Sequence, residues 1–401
     1  MRNLSVKSST VIDEFGNFRM QLIPILFLVG IEFMNVFSRV ILSPMLLTLE
    51  TDLLLSHAQA AIFFLFISTG LCLSMFFSGF LSSKITHRQT IIFSAVLCGL
   101  SLIAASYSTS LLGVRISLFL LGIGAGLYLP SGIATVTSLV EVRDLGKAMA
   151  THELGPTIGL VAAPLFVGVL STFTTWRGMM AVIGLANLMM ALIFSLFGRG
   201  GNFPGLKPEL KNFRSILVHP AFWIMTVLFG ITVGGEQGVY ALLPAYLVSE
   251  KGMEPGFANT MFGLSRISVV FTTVISGWFI DRFGIKKSML AIVMGAGILT
   301  SFLGLTSGAI LLFVIFLQPV MVASFFPAGF AAISKIGGQQ SINVVISLMI
   351  PISILFGSGL VPLLLGILGE YGTFAVGFCF LGTAMLLSTI LFFFLNLHPH
   401  N

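Results

Sequence analysis

Glu32, Arg39, Glu236 and Arg266 stand inside long apolar runs, where each ionisable side chain costs roughly 2.5–3.5 kcal/mol at mid-helix on insertion scales. Residues placed at that cost are candidates for function. Glu32, Asn35 and Arg39 fall at i, i+3 and i+7 and form one stripe of a helix. Glu236 and Tyr240 are one turn apart with Gln237 beside them, Asn259 and Arg266 share a face, and Gln318 lies at a similar depth of its own run. At about 1.5 Å per residue, Glu32 falls about 15 Å into a bilayer, and Glu236 comes to a comparable depth. A guanidinium is permanently charged and forks onto carboxylate or phosphate. A glutamate in low dielectric is readily protonated near neutral pH, and a neighbouring arginine opposes this. The set predicts an anion site made by Arg39, Arg266, Asn35, Tyr240, Gln237 and Gln318, with Glu32 and Glu236 as proton carriers. A second reading of the same residues stays open, in which Glu32 and Arg39 neutralise each other and the arginines only lock helices together.

The elements that must carry these residues are read from composition. The chain is 56% apolar and 8% charged, against about 25% charged in soluble domains. Twelve apolar stretches approach the roughly 20 residues a bilayer requires, at about 22–48, 58–82, 90–109, 111–139, 148–172, 177–198, 220–248, 257–281, 288–307, 309–334, 342–368 and 372–396. In lipid each must satisfy its own backbone hydrogen bonds, so each is read as a helix. The polar first 20 residues carry no signal-peptide pattern.

Charge placement predicts the sidedness. With a cytoplasmic N-terminus, 15 of the 20 Lys and Arg fall on the cytoplasmic side, among them Lys84, Arg88, Arg143, Lys147, Arg199, Arg282, Lys286 and Lys287, while Arg177 and Lys251 fall outside. The remaining three, Arg39, Arg115 and Arg266, lie within apolar runs. This bias follows the positive-inside rule, which places both termini in the cytoplasm. The net charge of +6 then reflects topology and anionic lipid, and nucleic acid is not an expected partner. Residues 199–219 form the longest polar connection and divide the chain into an N-terminal half, 1–198, and a C-terminal half, 220–401.

Two matched loops support duplication. Gly79-Phe80-Leu81-Ser82-Ser83-Lys84-Ile85-Thr86-His87-Arg88 and Gly277-Trp278-Phe279-Ile280-Asp281-Arg282-Phe283-Gly284-Ile285-Lys286-Lys287 occupy corresponding places in the two halves. Pro44 and Glu50 in the first half are likewise matched by Pro244 and Glu250 in the second. The loops resemble the cytoplasmic loop between the second and third helices of a major facilitator half, G-x-L-x-D-R-x-G-R-K/R, although Ser83 and Thr86 replace the acid and the glycine in the first copy. The resemblance covers essentially the whole chain. It implies an all-α membrane protein of twelve transmembrane helices in two pseudo-symmetric six-helix halves, with the binding site between the halves near the bilayer midplane. It also implies that Gly79, Arg88, Gly277, Asp281, Arg282 and Gly284 govern the conformational cycle. Gly159 to Gly168, with Pro164, resembles the family's antiporter-associated pattern, and Trp176-Arg177 at the start of the sixth run is usual in the family. Phe37-Ser38-Arg39-Val40-Ile41-Leu42-Ser43-Pro44 is similar to the first helix of the organic anion branch.

Other motifs have plainer readings. Gly122-Ile123-Gly124-Ala125-Gly126 lies mid-span with no preceding strand, so it predicts close helix packing and not a dinucleotide fingerprint. Cys72, Cys98 and Cys379 fit no disulfide framework or metal site. Arg115 can snorkel to the outer interface. His152 and Glu153 are read either as a gating or proton-transfer pair or as a polar helix start near Arg143 and Lys147. The expectation is a monomeric, proton-coupled transporter of a small carboxylate in the bacterial inner membrane, working by symport. It needs no cofactor or metal and is not an enzyme, since no nucleophilic triad, metal cluster or phosphate loop occurs. The alternatives are a proton antiporter exporting amphipathic compounds or a carboxylate-type siderophore, and a non-transporting sensor, which a long soluble domain would mark.

Overall fold

The computed structural model describes residues 18–205, 217–336 and 342–395. Among these residues are eleven helices long and apolar enough to cross a membrane. In chain order they are α1 (Phe18–Leu53), α2 (His57–Lys84), α3 (His87–Tyr107), α4 (Leu111–Leu139), α5 (Val142–Leu170), α6 (Trp176–Phe197) and α7 (Pro220–Ser249). After the broken helix α8 come α9 (Ile285–Leu305), α10 (Gly308–Ile333), α11 (Val345–Tyr371) and α12 (Phe374–Phe394). Helix α8 has two short pieces, Pro255–Ser265 and Thr272–Phe283, joined by a 3-10 segment that starts at Arg266. Neither piece alone reaches the length of a span. The result is the twelve-helix, two-half architecture expected. His398, His400 and most of the polar connection after Gly205 lie outside the described residues.

Helix starts follow local chemistry. Ser56 and Thr86 each form a capping box, with Gln59 and Gln89 three residues on. Each hydroxyl accepts from the glutamine N–H while the glutamine side chain accepts from the cap N–H. Glu254 caps α8 by accepting from the N–H groups of Gly256 and Phe257, at 2.8 and 2.7 Å. Those two backbone donors hold its carboxyl below the usual glutamate value.

Packing depends on missing side chains at close approaches. A Cβ at Gly122 would lie 2.0 Å from the carbonyl oxygen of Ile67 on α2, and one at Gly126 would lie 2.4 Å from that of Leu71. Gly124, on the opposite face, meets Ser94 and Cys98 of α3. The glycine run therefore seats α4 between α2 and α3, the close packing its sequence predicts. The same device recurs across the duplication. Gly99 and Gly184 bring α3 against α6, each Cβ position lying 2.7–2.8 Å from the other's carbonyl oxygen. Gly297 and Gly382 do the same for α9 and α12 at 2.9 and 2.5 Å. They stand 198 residues after Gly99 and Gly184, the same offset that separates Gly79 from Gly277. Large apolar side chains such as Phe77, Leu112, Met189, Phe313 and Phe393 are exposed around the bundle, where lipid would cover them.

Candidate functional site

Helix α7 is widened at its middle. Gly234–Gly238, the sequence Gly-Gly-Glu-Gln-Gly, forms a π-helical turn. A second π-helical turn, Leu355–Leu360, interrupts α11. The two turns pack glycine against glycine, since a Cβ at Gly357 would lie 2.6 Å from the backbone nitrogen of Gly234 and 2.7 Å from the carbonyl oxygen of Gly230. Such single-turn bulges often mark functional sites, because they re-aim the side chains they carry. Here they present Gln237 and Ser358 to one cavity.

That cavity is partly open to solvent, and Arg39, Phe64, Ser68, Gln237, Tyr240 and Ser358 are among the residues lining it. Both halves contribute. Arg39 enters from α1, just before the helix breaks at Ile41. Its Nε is buried with no hydrogen-bond partner among the described residues, and no carboxylate lies within 4.0 Å of it.

Arg266 is not a lining residue. It stands at the break in α8, 2% exposed, with its guanidinium 5.0 Å from the ring centroids of both Tyr240 and Phe262. Its Nε and Nη2 have no hydrogen-bond partner among the described residues. Tyr240 thus separates Arg266 from the cavity that Arg39 enters. The Tyr240 hydroxyl donates to the Leu160 carbonyl at 3.0 Å, and the Tyr240 carbonyl accepts from the Ser43 hydroxyl at 2.5 Å.

The other expected site residues are placed apart. Asn35 donates its amide to the Ala125 carbonyl at 3.2 Å, joining α1 to α4. Gln318 donates to the Gly235 carbonyl at 2.8 Å and to the Thr300 hydroxyl at 3.2 Å, supporting the widened turn of α7 from behind. Neither lines the cavity. Glu32 is buried with Oε2 unpartnered among the described residues. Glu236 is partly exposed on the widened turn beside Gln237. Phe64, Ser68 and Ser358 line the cavity without having been singled out from the sequence. Gly357-Ser358-Gly359, a small-residue run like Gly234-Gly235, was the available signal for the last of them.

Several contacts between the halves lie at one end of the bundle, the end of the α1–α2 and α7–α8 turns. Glu370 of α11 accepts from the Ser56 hydroxyl at 2.6 Å and from the Ala58 N–H at 3.3 Å. The His57 ring lies 4.8 Å from that of Phe374, while its Nδ1 is 2.9 Å from Glu50. Glu50 is matched in the other half by Glu250, which accepts from the N–H groups of Phe374 and Ala375. Gly366 packs onto Ala61 and Gly263 onto Val161 and Leu165.

At the opposite end the first matched loop meets the start of the connection between the halves, the N–H groups of His87 and Arg88 donating to the carbonyls of Phe203 and Gly201. Arg88 donates to the carbonyls of Gly198, Phe194 and Ser195, closing the C-terminus of α6, and Gly79 sits one turn before the Ser82 that caps back onto it. Arg282 lies over Trp278 and Phe283. Asp281 has no ion-pair partner among the described residues. Gly277 has open space where a Cβ would sit, and Gly284 turns into α9 with φ +76°, a conformation that favours glycine.

Comparison with known proteins agrees with this architecture. The chain is 23% identical over 273 residues to a protein TsgA homolog of Erwinia tasmaniensis, covering 61% of this chain and 68% of that protein. It is 24% identical over 194 residues to a probable nitrate transporter NarT of Staphylococcus haemolyticus, covering 46% of this chain and 49% of that one. Among solved structures it resembles a bacterial homologue of the human lysosomal transporter Spinster in an inward-facing, occupied conformation, with TM-score 0.75, 15% identity and coverage of 94% and 95% of the two chains. A D-xylose-proton symporter gives TM-score 0.75 at 14% identity, covering 94% and 97%. The family model of the Major Facilitator Superfamily matches residues 28–349 and 235–401, so this multi-pass membrane protein belongs to the Major Facilitator Superfamily.

Proposed function

We propose that the chain is a secondary transporter that takes up a small organic anion, a carboxylate, together with protons by alternating access. The observation that carries this is a pair of guanidiniums from opposite halves on the two sides of Tyr240, Arg39 half-buried with its Nε enclosed and Arg266 fully buried, with nitrogen donors unpartnered among the described residues. Burying such donors is costly unless a ligand or water satisfies them. An anion entering beside Arg39 meets one fixed charge at once and gains the second when Tyr240 yields. That second contact would draw the halves together, which alternating access requires. Glu32, near Arg39 and unpartnered at Oε2, and Glu236, near Arg266, each supply a carboxylate that a proton can neutralise as the anion binds. The relative described as a probable nitrate transporter handles an anion by its name, which agrees with an anion site here.

With the N-terminus cytoplasmic, the end carrying Glu370 and Ser56 is the outer one, and Asp281 and Arg282 stand at the inner edge. Residues 199–219 then link two halves, 1–198 and 220–401, on the cytoplasmic side. Cysteine placed at Leu54 should react with an impermeant maleimide only from outside, and cysteine at Asn202 only from inside. The test of function is counterflow in proteoliposomes with radiolabelled lactate, gluconate, glucuronate and nitrate, with and without an imposed pH gradient. Saturable exchange of a carboxylate that accumulates when the outside is acid supports the reading. Transport confined to neutral or cationic compounds sinks it.

A further inference from the structure

We infer that His152 passes protons between Glu32 and Glu153, giving the buried carboxylate of α1 an exit at the α4–α5 end of the bundle; this rests on the proton-coupled reading above. His152 has no solvent exposure, and its surroundings fix which ring nitrogen carries hydrogen. Tyr128 Oη lies 2.9 Å from the Leu28 carbonyl and 2.9 Å from His152 Nε2. A carbonyl can only accept, so the tyrosine hydrogen goes to Leu28, and the remaining lone pair of Oη must accept from Nε2–H. The imidazole is then the Nε2–H tautomer, and Nδ1 presents a bare lone pair. Nδ1 is buried without a hydrogen-bond partner among the described residues.

One carboxylate stands beside that nitrogen, and a second lies farther in, more than 4.0 Å away. Glu153 Oε1 stands 3.8 Å from Nδ1, on a side chain 62% exposed. Glu32 lies on the inner side, one turn after the Leu28 that anchors Tyr128, and a Cβ at Gly155 would sit 3.3 Å from its Cβ. Glu32 and His152 interact electrostatically, as do Glu32 and Arg39. The charged residues of the nearby loop are already matched, Arg143 by Glu141 and Asp144, and Lys147 by Asp144. Within 4.0 Å and among the described residues, Glu153 meets His152 and no Lys or Arg.

The step balances simply. Protonated Glu32 gives its proton to Nδ1 through an intervening water, leaving a carboxylate and an imidazolium with both nitrogens protonated. Nδ1 then releases the proton to the Glu153 carboxylate, and the ring returns to the neutral Nε2–H form. No heavy-atom bond changes, and Tyr128 holds the ring still throughout.

The test separates net movement from exchange, because only net movement requires the proton to leave. Proteoliposomes loaded with a pH dye are given whichever probe of lactate, gluconate, glucuronate and nitrate the wild type transports. His152→Gln and Glu153→Gln should each lower the ratio of proton-driven net uptake to exchange at least tenfold. A merely structural defect would lower both rates together and leave the ratio alone. Glu153 is exposed, so its variant reads the relay even where the buried His152 variant folds poorly. Nitrogen-15 spectra of the histidine ring, assigned by their loss in His152→Gln, should show the Nε2–H tautomer. An unchanged ratio in Glu153→Gln, or an Nδ1–H tautomer, overturns the relay while leaving coupled transport intact. No proton movement with any probe in the wild type overturns the coupled reading and the relay with it.

Discussion

Arg266 and Tyr240 form a stacked pair in which the guanidinium lies 5.0 Å from the ring centroid, and the same ring lines the cavity that Arg39 enters. One aromatic side chain is therefore the partition between a half-buried cation and a buried one. Stacking of this kind is worth about 2 kcal/mol or more when desolvated, enough to hold Arg266 back until an anion competes for it. The Tyr240 hydroxyl bond to Leu160 fixes the ring across the two halves.

Tyr240→Phe keeps the stack and removes the cross-half hydrogen bond, whose net worth is about 0.5–1.5 kcal/mol. The expected outcome is a several-fold faster exchange between conformations with substrate affinity changed less than about threefold. Tyr240→Ala removes the partition as well and should change affinity by more than tenfold. Equilibrium binding to purified protein checks both, and equal effects of the two variants on affinity would count against a partition role.

The arginines themselves are tested by a change that preserves charge. Lysine cannot fork onto a carboxylate, so Arg39→Lys and Arg266→Lys should each weaken binding. A lost buried charged contact costs about 2–5 kcal/mol, which is roughly thirtyfold or more in affinity. Two well-folded variants that bind as the wild type does would make the residues structural and remove the main support for an anionic substrate.

The helices and their duplication were legible in the sequence because lipid leaves few alternatives: a long apolar run must be a helix, and Gly79 and Gly277 mark equivalent turns. Glu32, Arg39, Glu236 and Arg266 stood out for the same reason, being costly where they are. Depth and helical stripe could not tell which of them would share a cavity. Asn35 lies on the stripe of Arg39 yet spends its amide on Ala125, and Gln318 is spent on Gly235 and Thr300. Both bonds depend on neighbouring helices. The π-helical turns of α7 and α11 change the register by one residue, which a 3.6-residue period does not anticipate, and they bring in Ser358. The break of α8 at Arg266 was hidden too, since the 257–281 run reads as continuous.

Asp281 is exposed at the edge of the matched loop, away from the cavity, with no ion-pair partner among the described residues. Its expected role is in the conformation closed on that side, where a carboxylate at the end of α8 can cap or pair across the halves. Asp281→Asn should slow transport at least fivefold while equilibrium affinity changes less than about threefold. Binding to purified protein and initial uptake rates, measured on the same preparation, check the split. A large loss of binding would place Asp281 in the site instead.

The seal at the other end offers the sharpest test of which state this is. Glu370 Oε2 accepts from both the Ser56 hydroxyl and the Ala58 N–H, across the halves and at the first turn of α2, where a helix N-terminus also favours an anion. Glu370→Gln keeps an acceptor oxygen and is the mild variant, whereas Glu370→Ala removes both bonds. Two hydrogen bonds to a charged, water-accessible acceptor together contribute about 1–2 kcal/mol net, so the alanine variant should raise the outward-open population about tenfold, since 1.4 kcal/mol is one decade. The measurement is labelling of cysteine introduced at Ser68, a buried cavity residue, by an impermeant maleimide added outside. The rate should rise about tenfold in Glu370→Ala and less in Glu370→Gln. Labelling at the parent rate in both variants would show that the Glu370 contact does not hold the halves shut, leaving the glycine contacts of Gly366 and Gly263 to form the seal.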